Sequence, residues 1–75
     1  MENKKIFYQN FIGNSVRVKC NDSTFYVGKM ISIDGYLNIV IENPLFYISE
    51  TTEPLKYKSI FIKGANVDYI SLESK

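Results

Sequence analysis

Two short strings of this chain combine side chains that could hold a single nucleobase. Residues 34–38 read DGYLN and residues 62–66 read IKGAN, with β-type residues on either side of each string. The aromatic ring of Tyr36 could stack on an unstacked base, the amide of Asn38 could bond its edge, and the cation of Lys63 could lie over its other face. Glycine and asparagine mark turns, so we expect both strings at loop tips.

Charge narrows the kinds of nucleic-acid binding that this chemistry can support. Nine basic and eight acidic residues leave a net charge of +1. A protein that coats phosphates carries clustered Lys and Arg and a high pI, whereas this chain is close to neutral. Any contact with RNA must therefore be local and directed at bases.

Catalytic and metal-binding chemistry lack their usual residues. The chain has one cysteine, Cys20, and no histidine, which excludes an internal disulfide, a Cys-His pair and an imidazole general base. We therefore predict no cofactor and no metal, and interpret Cys20 as a small core residue. A small hydrolase or nuclease would need paired carboxylates, a nucleophile or a metal site, and the sequence offers none of these arrangements.

The periodicity of apolar residues predicts a mainly β domain that begins with one short helix. Ile6, Phe7 and Phe11 share a face of this helix, which lies between Asn3 and Gly13. Five strands in so short a chain suit a small, partly open barrel. The five β-type runs are residues 15–20, 24–33, 37–42, 57–62 and 67–72.

Three signals mark where these strands bend or end. Gly28 interrupts the second run, where apolar residues appear on both faces, and predicts a bulge or sharp bend. The DG pair at residues 34–35 predicts a hairpin turn. The NP pair at residues 43–44 breaks the pattern of the third run, although residues 45–48 could extend a strand.

The chain is interpreted as a single domain over residues 1–75, of a size at which a partner surface commonly helps folding. The last two strands carry apolar residues on both faces, which would promote aggregation unless another chain covered them by strand addition. Residues 1–5 are polar and no long apolar run follows, so we expect no signal peptide or membrane span and an intracellular, soluble protein. We predict an oligomer whose subunit interface contains Tyr57, Phe61, Val67 and Tyr69.

The order of elements and the two loop strings resemble the Sm and like-Sm (Lsm) family. The resemblance covers residues 11–71, with motif one at residues 11–43 and motif two at residues 57–72. It implies the Sm fold, a short N-terminal helix followed by a five-stranded, strongly bent antiparallel sheet. The residues that carry it are Gly13, Val16, Val18, Gly28, Asp34, Tyr36, Leu37 and Asn38 in motif one and Ile62, Lys63, Gly64 and Ala65 in motif two.

Family membership implies a subunit of an RNA-binding ring. Seven subunits would join strand to strand, the other six being Lsm paralogues, with one base pocket per subunit facing the central hole. The implied RNA is single-stranded and uridine-rich. It is the 3′ end of U6 snRNA in a nuclear ring that acts in pre-mRNA splicing, and the 3′ end of mRNA in a cytoplasmic ring that promotes decapping and decay. The isolated chain is also a candidate for a homo-oligomer.

The resemblance assigns a role to each of five site residues. Tyr36 would stack on one face of a base and Lys63 would lie over the other. Asn38 would hydrogen-bond the uracil edge, Asp34 would orient Asn38 and pin the loop, and Gly64 would permit close backbone approach to the base. Taken singly, Tyr36 is more typical of cross-strand packing and Lys63 of a solvated turn, so the pairing of the two strings carries the assignment.

Two positions depart from the family's pattern. Lys63 replaces the usual arginine and lacks the planar guanidinium that stacks on a base, which predicts a weaker clamp. Ala65 replaces the usual Asn or Asp, which removes a side-chain hydrogen bond that braces the two loops. Asn66 comes one place too late to substitute without a register change. The alternative is therefore a structural ring subunit that supplies assembly contacts and makes little RNA contact of its own.

Overall fold

A computed structural model describes residues 8–73, which form one antiparallel sheet with a 3-10 turn at each of two positions. The strand order is β4-β3-β2-β1-β6, and β5 also pairs with β3. The strands are β1 (Ser15–Cys20), β2 (Phe25–Ile33), β3 (Ile39–Tyr47), β4 (Leu55–Lys56), β5 (Ser59–Ile62) and β6 (Val67–Leu72), and the 3-10 turns are Tyr8–Phe11 and Gly64–Asn66.

The core lies on one face of the bent sheet, as the alternation of apolar residues predicts. Along β1 the buried positions are Val16, Val18 and Cys20, while the residues between them are half-buried on the other face. Burial raises the pKa of the Cys20 thiol, so this residue packs as a small apolar side chain. The rest of the core cluster comes from the other strands, namely Met30, Ile39, Ile41, Ile62 and Ile70.

Gly28 confirms the predicted bulge in β2. The pairing register between β2 and β3 shifts between Val27 and Lys29. A Cβ atom at Gly28 would lie 2.5 Å from Cγ2 of Ile41 and 2.9 Å from Cα of Pro44. Glycine is therefore required, because the two strands approach closely where the register shifts.

The N-terminal segment differs from the predicted helix in its described part. Residues 8–11 form a single 3-10 turn, in which the rings of Tyr8 and Phe11 meet edge to face at 5.4 Å. Both rings pack against the core cluster, so the apolar face that was predicted for Phe11 is present. The predicted Asn3 cap and the apolar residues Ile6 and Phe7 lie outside the described residues.

The third and fourth strands also differ from their predicted limits. β3 continues through Pro44, which was predicted to break it, because Asn43 adopts a left-handed conformation with φ of 52° and the strand kinks without ending. The N–H of Asn43 donates to the carbonyl of Lys58 at 2.7 Å, and that of Tyr57 donates to the carbonyl of Pro44 at 3.2 Å. The predicted run at residues 57–62 is accordingly shorter, and β4 and β5 pair with successive parts of β3.

Candidate nucleic-acid interface

The first loop, residues 34–38, is held by one of its own carboxylates. Oδ1 of Asp34 accepts hydrogen bonds of 2.9 Å from the backbone N–H groups of Tyr36 and Asn38. Oδ2 accepts a third bond, of 3.0 Å, from Nδ2 of Asn38. These hydrogen bonds, led by those from Asn38, stabilise the charged form and hold the pKa of Asp34 below its ordinary value. The ionised carboxylate therefore fixes both the loop backbone and the Asn38 amide.

The hairpin that the DG pair predicts is present, but the residue with the unusual backbone is Leu37. The N–H of Leu37 donates to the carbonyl of Asp34 at 3.0 Å, and that of Asp34 donates to the carbonyl of Asn38 at 3.2 Å. Leu37 has a φ of 67°, in the left-handed region that side chains other than glycine seldom adopt. The loop is thus wider than a two-residue turn and presents Tyr36 at its tip, with 82% of the residue exposed.

Asn38 joins the first loop to the second loop, residues 63–66. Its Oδ1 accepts a hydrogen bond of 2.8 Å from the backbone N–H of Gly64. A Cβ atom at Gly64 would lie 1.7 Å from the carbonyl oxygen of Tyr36, so only glycine allows the two backbones to meet here. The close approach that the structure shows at Gly64 is therefore to the first loop. Four of the five predicted site residues, Asp34, Tyr36, Asn38 and Gly64, belong to this junction.

Lys63 lies next to this junction, directly before Gly64, and is exposed. The cation–π contacts that the structure records within residues 8–73 lie elsewhere, between Arg17 and Phe25 and between Lys19 and Tyr69. Both Tyr36 and Lys63 are exposed at the surface of the joined loops, and the cation–π contacts of the described residues do not include this pair. The structure brings the five predicted site residues into one region of the surface, and their contacts with a base remain a prediction.

The second loop has a further support that the sequence did not indicate. Nδ2 of Asn21, in the β1–β2 turn (residues 21–24), donates to the carbonyl of Ala65 at 3.1 Å. The backbone N–H of Asn21 donates to the carbonyl of Asn66 at 2.9 Å. Asparagine is common in polar turns, so Asn21 has no distinguishing feature in the sequence. No sequence pattern indicates its bond to a residue 44 positions away.

The four predicted interface residues lie on or beside the two edges of the sheet. Tyr57 lies directly after β4 and Phe61 lies within β5, and they are 44% and 59% exposed. On β6, Tyr69 is 49% exposed and Val67 is half-buried against the core. Two sheet edges therefore carry exposed apolar side chains, as predicted, and their coverage by other subunits stays a prediction.

The described residues lack two features that other kinds of function would need. Among residues 8–73, no group of three or more His, Cys, Asp and Glu side chains could hold a metal ion. No helix in the same part of the chain is long and apolar enough to cross a membrane.

Comparison with known proteins identifies the class to which this fold and these loops belong. The family model described as LSM domain matches residues 6–72. A U6 snRNA-associated Sm-like protein LSm6 from Chaetomium globosum is 39% identical over 67 residues, which cover 89% of this chain and 80% of that protein. The protein of the same name from Debaryomyces hansenii is 38% identical over 66 residues, which cover 88% of this chain and 76% of that protein.

Solved structures of archaeal Sm proteins share the fold. The Sm protein of Pyrococcus abyssii, solved in complex with a uridine heptamer, matches with a TM-score of 0.80 and 26% identity over 87% of this chain and 90% of its own. A heptameric archaeal Sm protein matches with a TM-score of 0.79 and 30% identity over 88% of this chain and 94% of its own. The chain belongs to the LSM-domain family. Within that family it is similar to LSm6 proteins, and the Sm fold predicted from its motifs is confirmed.

Proposed function

We propose that this protein is an RNA-binding subunit of an Lsm ring and that its two joined loops read uridine in single-stranded, uridine-rich RNA. The observation that carries the proposal is the fixed orientation of the Asn38 amide. Asp34 holds the Nδ2 side of this amide, and the N–H of Gly64 holds the Oδ1 side. Exchanging the amide nitrogen and oxygen would break both bonds, so the structure allows one orientation.

This orientation leaves a defined hydrogen-bonding group for a base. One N–H of the Nδ2 group donates to Asp34, and the second remains available as a donor. Uracil presents a carbonyl acceptor at the position where cytosine presents an amine donor. The free N–H of Asn38 therefore bonds uracil and opposes the amine of cytosine, which gives the pocket its base preference.

Stacking supplies the remaining part of the contact. The exposed ring of Tyr36 takes one face of the base, and base stacking on an aromatic side chain is worth about 1–3 kcal/mol. Lys63 lies over the other face as a point charge. Because an ammonium does not stack as a guanidinium does, most of the stacking energy comes from Tyr36.

The relatives' names support a more specific assignment. The similar proteins are named U6 snRNA-associated, and the archaeal neighbours form heptamers or bind a uridine heptamer. The protein acts as the sixth subunit of a heteroheptameric Lsm ring. It joins U6 snRNA 3′ ends in the nucleus for splicing and mRNA 3′ ends in the cytoplasm for decapping and decay, and it performs no catalytic step itself.

A second candidate function is a structural subunit that closes the ring while its neighbours read the RNA. The exposed apolar residues Phe61 and Tyr69 at the sheet edges favour this function. Lys63 in place of arginine, and Ala65, whose side chain cannot hydrogen-bond, favour it as well. The two candidates differ in whether Tyr36 contributes to RNA affinity.

The test is equilibrium binding of fluorescent oligouridine and oligocytidine to the assembled ring, followed by anisotropy. Native mass spectrometry first defines which ring forms, either from this chain alone or with its partner subunits. We expect a preference for oligouridine, and we expect Tyr36→Ala to weaken oligouridine binding about tenfold, since one stacked base is lost. A Phe61→Ala variant should disturb assembly instead. Equal affinity for the two RNAs, or unchanged affinity in an intact Tyr36→Ala ring, would support the structural candidate.

A further inference from the structure

The second loop and the β1–β2 turn border the same cavity. A cavity of about 630 Å³ lies on the side of this loop that faces the β1–β2 turn, and it is bordered by Lys63 and Asn66 of the loop and by Asn21, Asp22 and Thr24 of the turn. Packing therefore does not fix the loop from this side. Its position there depends on hydrogen bonds that span the gap.

The loop's own side chains do not hold it. Within the described residues none of them makes a hydrogen bond, and its local backbone bonds run from the N–H of Asn66 to the carbonyl of Lys63 at 2.9 Å and from the N–H of Val67 to the carbonyl of Gly64. Two outside side chains hold it instead. Asn38 binds the N–H of Gly64 from the side of the first loop, and Asn21 binds the carbonyl of Ala65 from the opposite side.

We propose that Asn21 is a positioning residue for the candidate base pocket, which it completes by fixing the second loop from behind without contacting RNA. This inference rests on the proposed function. The Asn21 amide supplies a support that the alanine at position 65 cannot supply from within the loop. The Asn21 amide thereby fixes the distance between Lys63 and a base that is stacked on Tyr36.

Asn21 positions the second loop because its side chain donates a hydrogen bond, and the size of the side chain is not what matters. Asn21→Asp keeps the shape of the side chain but replaces the donating Nδ2 with a carboxylate oxygen, which repels the carbonyl of Ala65. Asn21→Ala removes the side chain, while the backbone bond from residue 21 to Asn66 remains in both variants. Asn14→Ala is a matched control, because Nδ2 of Asn14 donates to the carbonyl of Asn10 at 3.2 Å, away from both loops.

The experiment measures oligouridine affinity of the assembled ring for these three variants, together with hydrogen exchange of peptides that cover the second loop in the RNA-free ring. We expect both Asn21 variants to lose about three- to tenfold in affinity, the range that corresponds to one ordinary hydrogen bond. Exchange in the second loop should become faster in both variants. In Asn21→Ala, which changes no charge, the oligouridine preference and the salt dependence of binding should stay unchanged, because no base contact and no cation are lost.

Each possible result either supports or overturns the positioning role of Asn21. Wild-type affinity in Asn21→Asp, or a loss in Asn14→Ala equal to that in Asn21→Ala, overturns the role of Asn21. A changed ratio of oligouridine to oligocytidine affinity in Asn21→Ala also overturns it, because it would show that Asn21 contacts the base itself. Tyr36→Ala in the same assay separates the two claims. If Tyr36→Ala binds normally, the proposed function fails, and if only the Asn21 variants bind normally, the positioning role alone fails.

Discussion

The two loops of the candidate site are stabilised in opposite ways. The first loop contains its own support, since the carboxylate of Asp34 accepts three hydrogen bonds from residues within the same loop. The second loop receives its side-chain hydrogen bonds from outside, from Asn38 and Asn21. The first loop is therefore a fixed platform, and the second loop takes its position from that platform and from the β1–β2 turn.

This difference assigns different tasks to the two loops. In the proposed function, base identity is read from the platform, because the Asn38 amide is oriented there. In the same proposal, the second loop supplies the charge of Lys63, and the close approach of Gly64 to Tyr36 places this loop beside the platform. Substitutions in the first loop should therefore change both the preference for oligouridine and the RNA affinity. Substitutions behind the second loop should change the RNA affinity alone.

The largest expected effect is at the contact between the two loops. Gly64→Ala would place a Cβ atom 1.7 Å from the carbonyl oxygen of Tyr36, so the backbones of both loops must separate. Overpacking of this kind costs about 1–3 kcal/mol and sometimes more, and here the clash is with backbone. We expect a loss of about 3 kcal/mol in the free energy of unfolding, measured by denaturant titration at fixed protein concentration, and loss of oligouridine binding.

Gly35→Ala is the matched control for that prediction. It adds the same atom to the other loop, where no heavy atom lies within 4 Å and φ is not positive. We expect a change of less than about 0.5 kcal/mol and unchanged RNA binding. Equal effects of the two substitutions would contradict the view that the loops meet at Gly64.

A smaller effect is expected from the side chain that links the loops. Asn38→Ala leaves the N–H of Gly64 and one oxygen of Asp34 without their partners, which costs about 1–2 kcal/mol at a half-buried position. Since the reading amide is lost, the preference for oligouridine over oligocytidine should disappear along with part of the stability. The measurement is the ratio of the two dissociation constants for the assembled ring. A variant that keeps this ratio would show that another group reads the base.

Much of this fold could be predicted from local sequence. The alternation in β1 fixes its buried face, and Gly28 indicates the bulge, because both signals act over a few residues. The split between β4 and β5 and the kink at Asn43 could not be predicted. They depend on backbone bonds from residues 57–58 to residues 43–44, which local patterns do not encode.

The candidate site also combines features that local sequence predicts with features that depend on distant contacts. The chemistry of Tyr36, Asn38 and Lys63 follows from residue type and spacing, and the resemblance supplies their roles. The role of Gly64 in joining the loops and the support from Asn21 depend on contacts between segments 26 and 44 residues apart. A turn asparagine acquires this role only when the sheet brings β1 and β6 together.

The smallest expected effect is the acid sensitivity of the first loop. The hydrogen bonds to Asp34 lower its pKa in the folded protein, so its contribution to loop order is fully present above the ordinary pKa of an unfolded aspartate, about 3.9. That contribution is lost as the pH falls through the lower pKa of the folded state. The effect is small because the carboxylate is exposed and water screens it.

Asp34→Asn provides the comparison that isolates this effect. The substituted amide would place a donor against Nδ2 of Asn38, so the variant lacks the orienting bond at every pH. We expect hydrogen exchange at residues 34–38 to be faster in the variant than in the wild type at pH 5–7. After correction for the intrinsic pH dependence of exchange, the exchange rates of residues 34–38 in the two proteins should become equal below the folded pKa of Asp34. Asp22, whose pKa is lowered by its bonds to Thr24, titrates in both proteins and cancels in this difference. A constant difference down to the lowest pH would mean that Asp34 supports the loop without its charge.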